Sequence, residues 1–177
     1  MQAIPRLYDP GVGQLDGWRL CPRCGGALVP HDGHLGCAVC GERYWGSSIP
    51  GVQGMLERDG RILLVRRGRE PRKGFWDLPG GFLDEGEEPL AGLRREFLEE
   101  TGLEIEVGEF LGVEIEPYAE RSVCSLTWSV TAAVGEPQPA DDVEEVRWFS
   151  AGELPPELAF PGQDRLLSAW AARQLHA

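Results

Sequence analysis

Between Gly81 and Leu103 the chain reads Gly-Phe-Leu-Asp-Glu-Gly-Glu-Glu-Pro-Leu-Ala-Gly-Leu-Arg-Arg-Glu-Phe-Leu-Glu-Glu-Thr-Gly-Leu, and this stretch limits the possible folds more than any other. Pro89 suits the first turn of a helix and Gly102 the position just past its last turn. At 100° per residue, Glu96, Glu99 and Glu100 share one arc of about 100° on that helix. Leu90, Leu93 and Phe97 form an apolar stripe on one flank, with Ala91 and Leu98 on the other. Both stripes should pack against other elements. The acids face the negative end of the helix dipole and repel one another at these spacings. The cluster therefore costs stability unless cations neutralise it. Mg²⁺ or Mn²⁺ would suit, since hard cations take oxygen ligands and keep positions open for phosphate oxygens and water. A solvated acidic face is the usual meaning of Glu-x-x-Glu-Glu. The flanking glycines and Arg95, at fixed offsets, set this run apart.

A second pattern lies upstream. Cys21-Pro-Arg-Cys24-Gly and Cys37-Ala-Val-Cys40-Gly give a Cys-x2-Cys, x12, Cys-x2-Cys array. That spacing places four thiolates around a tetrahedral Zn²⁺, and the trailing glycines permit a tight turn in each knuckle. Disulfides are the alternative, but no secretory pattern precedes the cysteines, and redox Cys-x-x-Cys chemistry needs only one pair. With four protein ligands the site would be closed and structural. His31 and His34 flank an apparent hairpin tip and read as exposed turn residues.

Zinc ribbons often bind nucleic acid, so charge matters. Arg6, Arg19, Arg23 and Arg43 are balanced by Asp9, Asp16, Asp32 and Glu42 within the first 50 residues, and the chain carries a net −12. A basic footprint is missing, so no nucleic-acid partner is expected. Structural support or subunit pairing is the better reading of the ribbon. No apolar run reaches the length of a membrane span, and the thiols point to a reducing compartment, hence the cytoplasm.

At 177 residues the chain fits one full domain with a small appendage: a ribbon over 1–48 and a catalytic domain over 49–177, joined near Gly46-Ser-Ser-Ile-Pro50. Residues 1–20 read as irregular. The expected hairpin has strands 51–58 and 61–67 about Asp59-Gly60, its second strand buried on both faces. Short extended chain follows at 75–78, then the acidic helix. A strand over 103–116, broken near Gly108, precedes strands over 122–131 and 144–149 and a closing helix over 164–175. Cys124 shares a strand face with Leu126, Trp128 and Val130, which makes it a core residue rather than a nucleophile. Strands interrupted by two helices predict an α+β fold with a mixed sheet between them.

The segment Gly81-x5-Glu87-x7-Arg95-Glu96-Phe97-x-Glu99-Glu100-x-Gly102-Leu103 resembles the Nudix box at every defined position. The resemblance implies a Nudix α/β/α sandwich and hydrolysis of a nucleoside diphosphate linked to another group. It also implies Glu96, Glu99 and Glu100 as Mg²⁺ or Mn²⁺ ligands. Glu87 and Arg95 become a pair fixing the loop against the helix, and the backbone at Gly80 and Gly81 a close-approach point for metal or phosphate. Related enzymes often carry a Glu just before a strand's Trp or Tyr that reaches the metal. Here that suggests Glu145 as ligand or base, with Asp141, Asp142 and Glu144 as competitors and a surface glutamate as the plain alternative. Such relatives are commonly homodimers.

Seven bases from Arg58 to Lys73 stand against Asp59 and Glu70; most suit a solvated hairpin, but Arg66, Arg67 and Arg72 could hold phosphates. Among the aromatic residues, Trp76 reads as packed, while Tyr118 is a candidate neighbour of base or ribose. The ribbon-plus-box layout is similar to NADH diphosphatases, yet their Ser-Gln-Pro-Trp-rich motif is absent from Gly112–Ser122. In ADP-ribose hydrolases of the family a proline follows the box by some 16 residues. Here that position is Ala119, with Pro117 two residues earlier. ADP-ribose or a related nucleotide sugar is the favoured substrate. The alternatives are a NADH-type or capped-RNA pyrophosphatase and a nucleotide-sensing module without turnover; complete box acids weigh against the last.

Overall fold

The computed structural model describes residues 14–119 and 121–175. The irregular stretch expected at the start of the chain lies outside the described residues as far as residue 13. The chain divides into two compact units, Met1–Ile49 with Pro117–Ser122, and Pro50–Glu116 with Val123–Ala177. The first contains the strands β1 (Leu28–His31), β2 (His34–Cys37) and β3 (Arg43–Tyr44), a small antiparallel sheet turning at Asp32-Gly33.

The second unit is built on a seven-stranded sheet. Its strands are β4 (Ile49–Arg58), β5 (Arg61–Arg67), β6 (Trp76–Asp77), β7 (Gly80–Phe82), β8 (Glu104–Tyr118), β9 (Arg121–Val134) and β10 (Val143–Ser150), ordered β10-β5-β4-β9-β8 with β6 on β5 and β7 on β4. Helices α1 (Pro89–Thr101) and α2 (Pro161–Leu175) complete it. Asp59 and Gly60 both take positive φ, as a tight two-residue hairpin turn requires.

Alternation along β5 decides which helix lies on which face. Ile62 and Leu64 pack with Met55, Trp76, Phe149 and the α2 residues Leu167 and Trp170. Leu63 points the other way, into a cluster with Val52, Leu56 and the α1 residues Leu93 and Phe97. Both faces of the strand are thus buried, one under each helix, which is the expected α/β/α sandwich. Gly54 lets this packing close, because a Cβ there would sit 2.5 Å from the Phe97 ring.

Two local expectations change. β8 runs unbroken through Gly108, where the Ser129 hydroxyl accepts from the Glu109 N–H at 2.8 Å. The second apolar stripe of α1 does not pack: Leu98 is 53% exposed and Ala91 is also exposed. One stripe suffices to seat a helix on a single sheet face.

Candidate active site

Helix α1 starts as its sequence dictates. Glu88 is the N-cap and accepts from the Ala91 N–H, Pro89 follows, and Gly102 ends the helix in the left-handed conformation. The turn between β7 and α1 is tied down by one arginine. Arg95 donates through Nε and Nη2 to the two oxygens of Glu87, both at 2.8 Å, and through Nη2 to the Phe82 carbonyl at 3.0 Å. Its Nη1 reaches Glu96 Oε1 at 2.8 Å and Glu99 Oε2 at 3.0 Å. Five donors meet five acceptors, using the whole guanidinium fork.

The hydrogen bonds from Arg95, and then the Asp84 N–H, hold the Glu87 carboxyl down at about 2. A carboxyl depressed on folding stabilises the fold above its unfolded value near 4.5, and that contribution fades as the pH falls through 2. Glu87→Gln should therefore flatten the fall of Tm across this acid window. Parallel Tm curves for the two proteins would show that the pair does not govern acid stability.

Glu100 is buried, 7% exposed, and accepts from the Gly80 N–H at 2.9 Å. Burial pushes its carboxyl well up, and the charges of Asp77, Glu96 and Asp142 push further, against the Gly80 N–H. Burial also raises Glu96, opposed by Arg95. For these two acids the sign reverses: ionisation costs stability as the pH rises through their folded values, a cost that a bound cation would relieve. The glycines make room for this arrangement. A Cβ on Gly81 would lie 2.5 Å from the Glu96 carboxylate, and Gly80, at φ 151°, has its missing side chain directed into the β4 backbone.

Glu145 is engaged by two arginines in this structure. Together with Arg147 and Phe149 it lies on the sheet face covered by α2: Arg147 stacks over Trp76 and Phe149, and Glu145 pairs with Arg147 at 2.8 Å and Arg66 at 3.6 Å. Val146 and Trp148 are the β10 residues on the α1 face. Asp142 is another acid whose charge is felt by the box. The Gln138 and Ala140 N–H groups donate to the carbonyls of Thr101 and Glu100, docking the segment before β10 on the end of α1. The Asp142 charge then acts on both Glu96 and Glu100. Asp141, Glu144 and Glu145 form ion pairs with Arg69, Lys73 and Arg66; among the described residues Asp142 forms none.

Those pairs also revise the basic cluster. Arg67 turns inward, donating to Asp77 at 2.7 Å and to the Pro71 carbonyl at 3.0 Å. Arg66 binds the Gly74 carbonyl in addition to Glu145, and Arg72 lies over the Phe75 ring. The bases therefore spend much of their capacity inside the protein. Tyr118 falls in the 117–122 segment that groups with the N-terminal unit, and Trp76 packs edge-on to Phe149 as expected.

In the N-terminal unit the four cysteine sulfurs lie within 4.8 Å of one another. Gly25 and Gly41 adopt positive φ, and their N–H groups donate to the Cys21 and Cys37 carbonyls, closing the two knuckles. The Tyr44 hydroxyl, 3.1 Å from Cys21 Sγ, lowers that thiol to about 6. The set can hold one thiophilic metal ion. His31 and His34 are stacked across the β1–β2 turn with centroids 5.0 Å apart.

The family model for the NUDIX domain matches residues 50–170. The chain is 39% identical over 111 residues to an ADP-ribose pyrophosphatase of Methanocaldococcus jannaschii, covering 62% of this chain and 65% of that protein. It is 31% identical over 163 residues to the NAD-capped RNA hydrolase NudC of Pseudomonas fluorescens, covering 89% of this chain but 57% of the relative. The chain thus spans about two thirds and little more than half of these proteins. Among solved structures, a NUDIX hydrolase from Nitrosomonas europaea superimposes with a TM-score of 0.76 at 25% identity, over 89% of this chain and 93% of that one. Box geometry, fold and family match agree, and the chain belongs to the Nudix family.

Proposed function

We propose that the chain is a divalent-cation-dependent hydrolase of the diphosphate bond in a nucleoside diphosphate linked to another group, with ADP-ribose or a related nucleotide sugar as the favoured substrate. The observation that carries this reading is the acid cluster itself: Glu96, Glu99 and Glu100 on one helix, with Glu100 buried and Glu96 seated over Gly81. Such a donor set of hard oxygens fits Mg²⁺ or Mn²⁺. A cation bound there supplies charge neutralisation for phosphate oxygens and a water of lowered pKa. Arg95 occupies one oxygen each of Glu96 and Glu99, aiming both side chains while the second oxygen stays available. The Gly80 N–H orients Glu100 in the same way. The four-cysteine set fits a structural Zn²⁺, and we read residues 1–48 as a ribbon and 49–177 as the hydrolase domain. Its thiols suit a reducing compartment such as the cytoplasm.

Relatives named for ADP-ribose and for NAD-capped RNA share a diphosphate joined to a ribose, and the higher identity to the first favours the nucleotide sugar. The test is Mg²⁺-dependent release of products from ADP-ribose, NADH, UDP-sugars, dinucleoside polyphosphates and nucleoside triphosphates. No turnover of any diphosphate would overturn the reading. In the same assay Asp142→Asn should raise the Mg²⁺ concentration needed for half-maximal rate by about tenfold, on the scale of losing a supporting group at a metal site. Glu145→Gln should leave it unchanged; the reverse order would return the fourth acid to β10.

A further inference from the structure

The Gly80 N–H, which holds Glu100, belongs to a stretch of chain that crosses from one central strand to the next. β4 and β5 pair at their turn end, Glu57 with Ile62 and Arg58 with Arg61. Farther from the turn each takes a different partner. Val65 and Arg66 of β5 pair with Asp77 and Trp76 of β6. Gly51, Val52 and Gln53 of β4 pair instead with Phe82, Gly81 and Gly80 of β7. The sheet thus opens as a fork, and Asp77-Leu78-Pro79-Gly80 spans its two prongs. Backbone hydrogen bonds tie each end of this crossing to its own prong.

A buried side chain ties the prongs to each other. Gln163, in the first turn of α2, is 1% exposed. Its amide nitrogen has two hydrogens, and it donates to Gln53 Oε1 on β4 at 2.8 Å and to Asp77 Oδ1 at the end of β6. Both acceptors are anchored in turn. Gln53 donates to the Thr127 hydroxyl on β9 at 2.8 Å, and Asp77 Oδ2 accepts from Arg67 on β5 at 2.7 Å. Buried bonds of this kind hold their geometry, because giving one up strands a polar group in a low dielectric. The bridge meets the crossing on both sides of Gly80: Gln53 stands in register with it, and Asp77 precedes it by three residues. Gly80 takes φ 151°, and a residue without a Cβ does little to fix its own peptide plane. The direction of its N–H is therefore set by the prongs. We propose that Gln163 is a positioning residue: by bridging β4 and β6 across the fork, its amide places the Gly80 N–H and hence the Glu100 carboxylate. This rests on the reading of the acid cluster as a divalent-cation site, and it makes α2, on the opposite sheet face, part of what governs that site.

The test measures Mn²⁺ binding to the full chain without nucleotide, from the electron paramagnetic resonance signal of free Mn²⁺. Mn²⁺ prefers carboxylate oxygen to thiolate, so the four cysteines do not compete. Gln163→Met keeps the side chain's length but removes both donors, and Gln53→Met cuts the same bridge from β4 should the first variant fold poorly. Leu167→Ala, in the core under α2, is a control that lowers Tm without touching the bridge. Either bridge variant should bind Mn²⁺ about tenfold more weakly, the scale for groups that orient metal ligands, and the two losses should not add in the double variant. With a diphosphate substrate, kcat should fall while KM stays near that of the parent. Leu167→Ala should bind Mn²⁺ as the parent does. Parental Mn²⁺ affinity in Gln163→Met, an equal loss in Leu167→Ala, or losses that add would overturn the positioning role. A parent that binds Mn²⁺ yet hydrolyses no diphosphate would overturn the hydrolase reading and leave that role to stand on the Mn²⁺ shift. No Mn²⁺ binding by the parent would overturn both.

Discussion

Glu99→Gln is expected to bind nucleotide substrate with near-parental affinity and to turn it over about 10²–10³-fold more slowly, the usual scale for removing one fixed electrostatic group from a reacting centre. The amide keeps the side chain's shape but cannot offer a charged oxygen to a cation. Glu99 also stands among like charges, beside Glu96 and Glu100 and sharing the Arg95 Nη1 with Glu96. Removing its charge relieves repulsion, so the Tm should hold or rise. Steady-state rates at saturating Mg²⁺, with a thermal melt on the same preparation, check both halves. Turnover within about threefold of the parent would remove Glu99 from the metal site, since a ligand cannot be lost so cheaply.

Cys37→Ser should abolish metal retention by the N-terminal unit. Structural zinc sites of this type contribute on the order of 10 kcal/mol of binding free energy, and small metal-centred folds lack a core large enough to replace it. The described core here supports that view: buried hydrophobic packing in the ribbon is confined to Cys21, Cys37 and Leu28, with Leu35 and Tyr44 at the margin. Metal analysis should give one zinc per parent chain and none per variant. Limited proteolysis should then cut within residues 14–49 first, while the clusters under α1 and α2 remain protected because their cores contain none of these cysteines. A variant that retains zinc and protease resistance would show that three thiolates suffice.

Much of this could be read in advance from residues close together in the chain. Pro89, Glu88 and Gly102 bracket α1 through backbone preferences and a cap that act within a few residues. Asp59-Gly60 specifies its hairpin in the same way, and the two Cys-x2-Cys-Gly knuckles close through hydrogen bonds between residues four apart. Both faces of β5 could be assigned as buried from an unbroken apolar run, Ile62 to Val65. The pairing of Glu87 with Arg95 was implied by the resemblance to the Nudix box, and it joins one loop to the helix that follows it.

The charged residues outside the box were harder, because their partners come from distant segments. Strand alternation put Glu145 and Arg147 on one face, correctly, but which helix covers that face depends on how β10 joins β5 and where α2 folds back. Asp142 gained its place from the docking of the segment before β10 onto the end of α1, a contact across some 40 residues. Arg67 looked like a phosphate ligand until Asp77 drew it inside.

Short-range chemistry in the sequence therefore set the acidic helix, its turn, the hairpin and the metal knuckles, since caps, turns and ligand spacing act over a few residues. Tertiary structure alone docked the segment before β10 onto the end of α1, turned Arg67 inward, and set Glu116 on β8 against Gly162 on α2. Burial and pairing of charge depend on which distant strands and helices meet, and no local pattern carries that information.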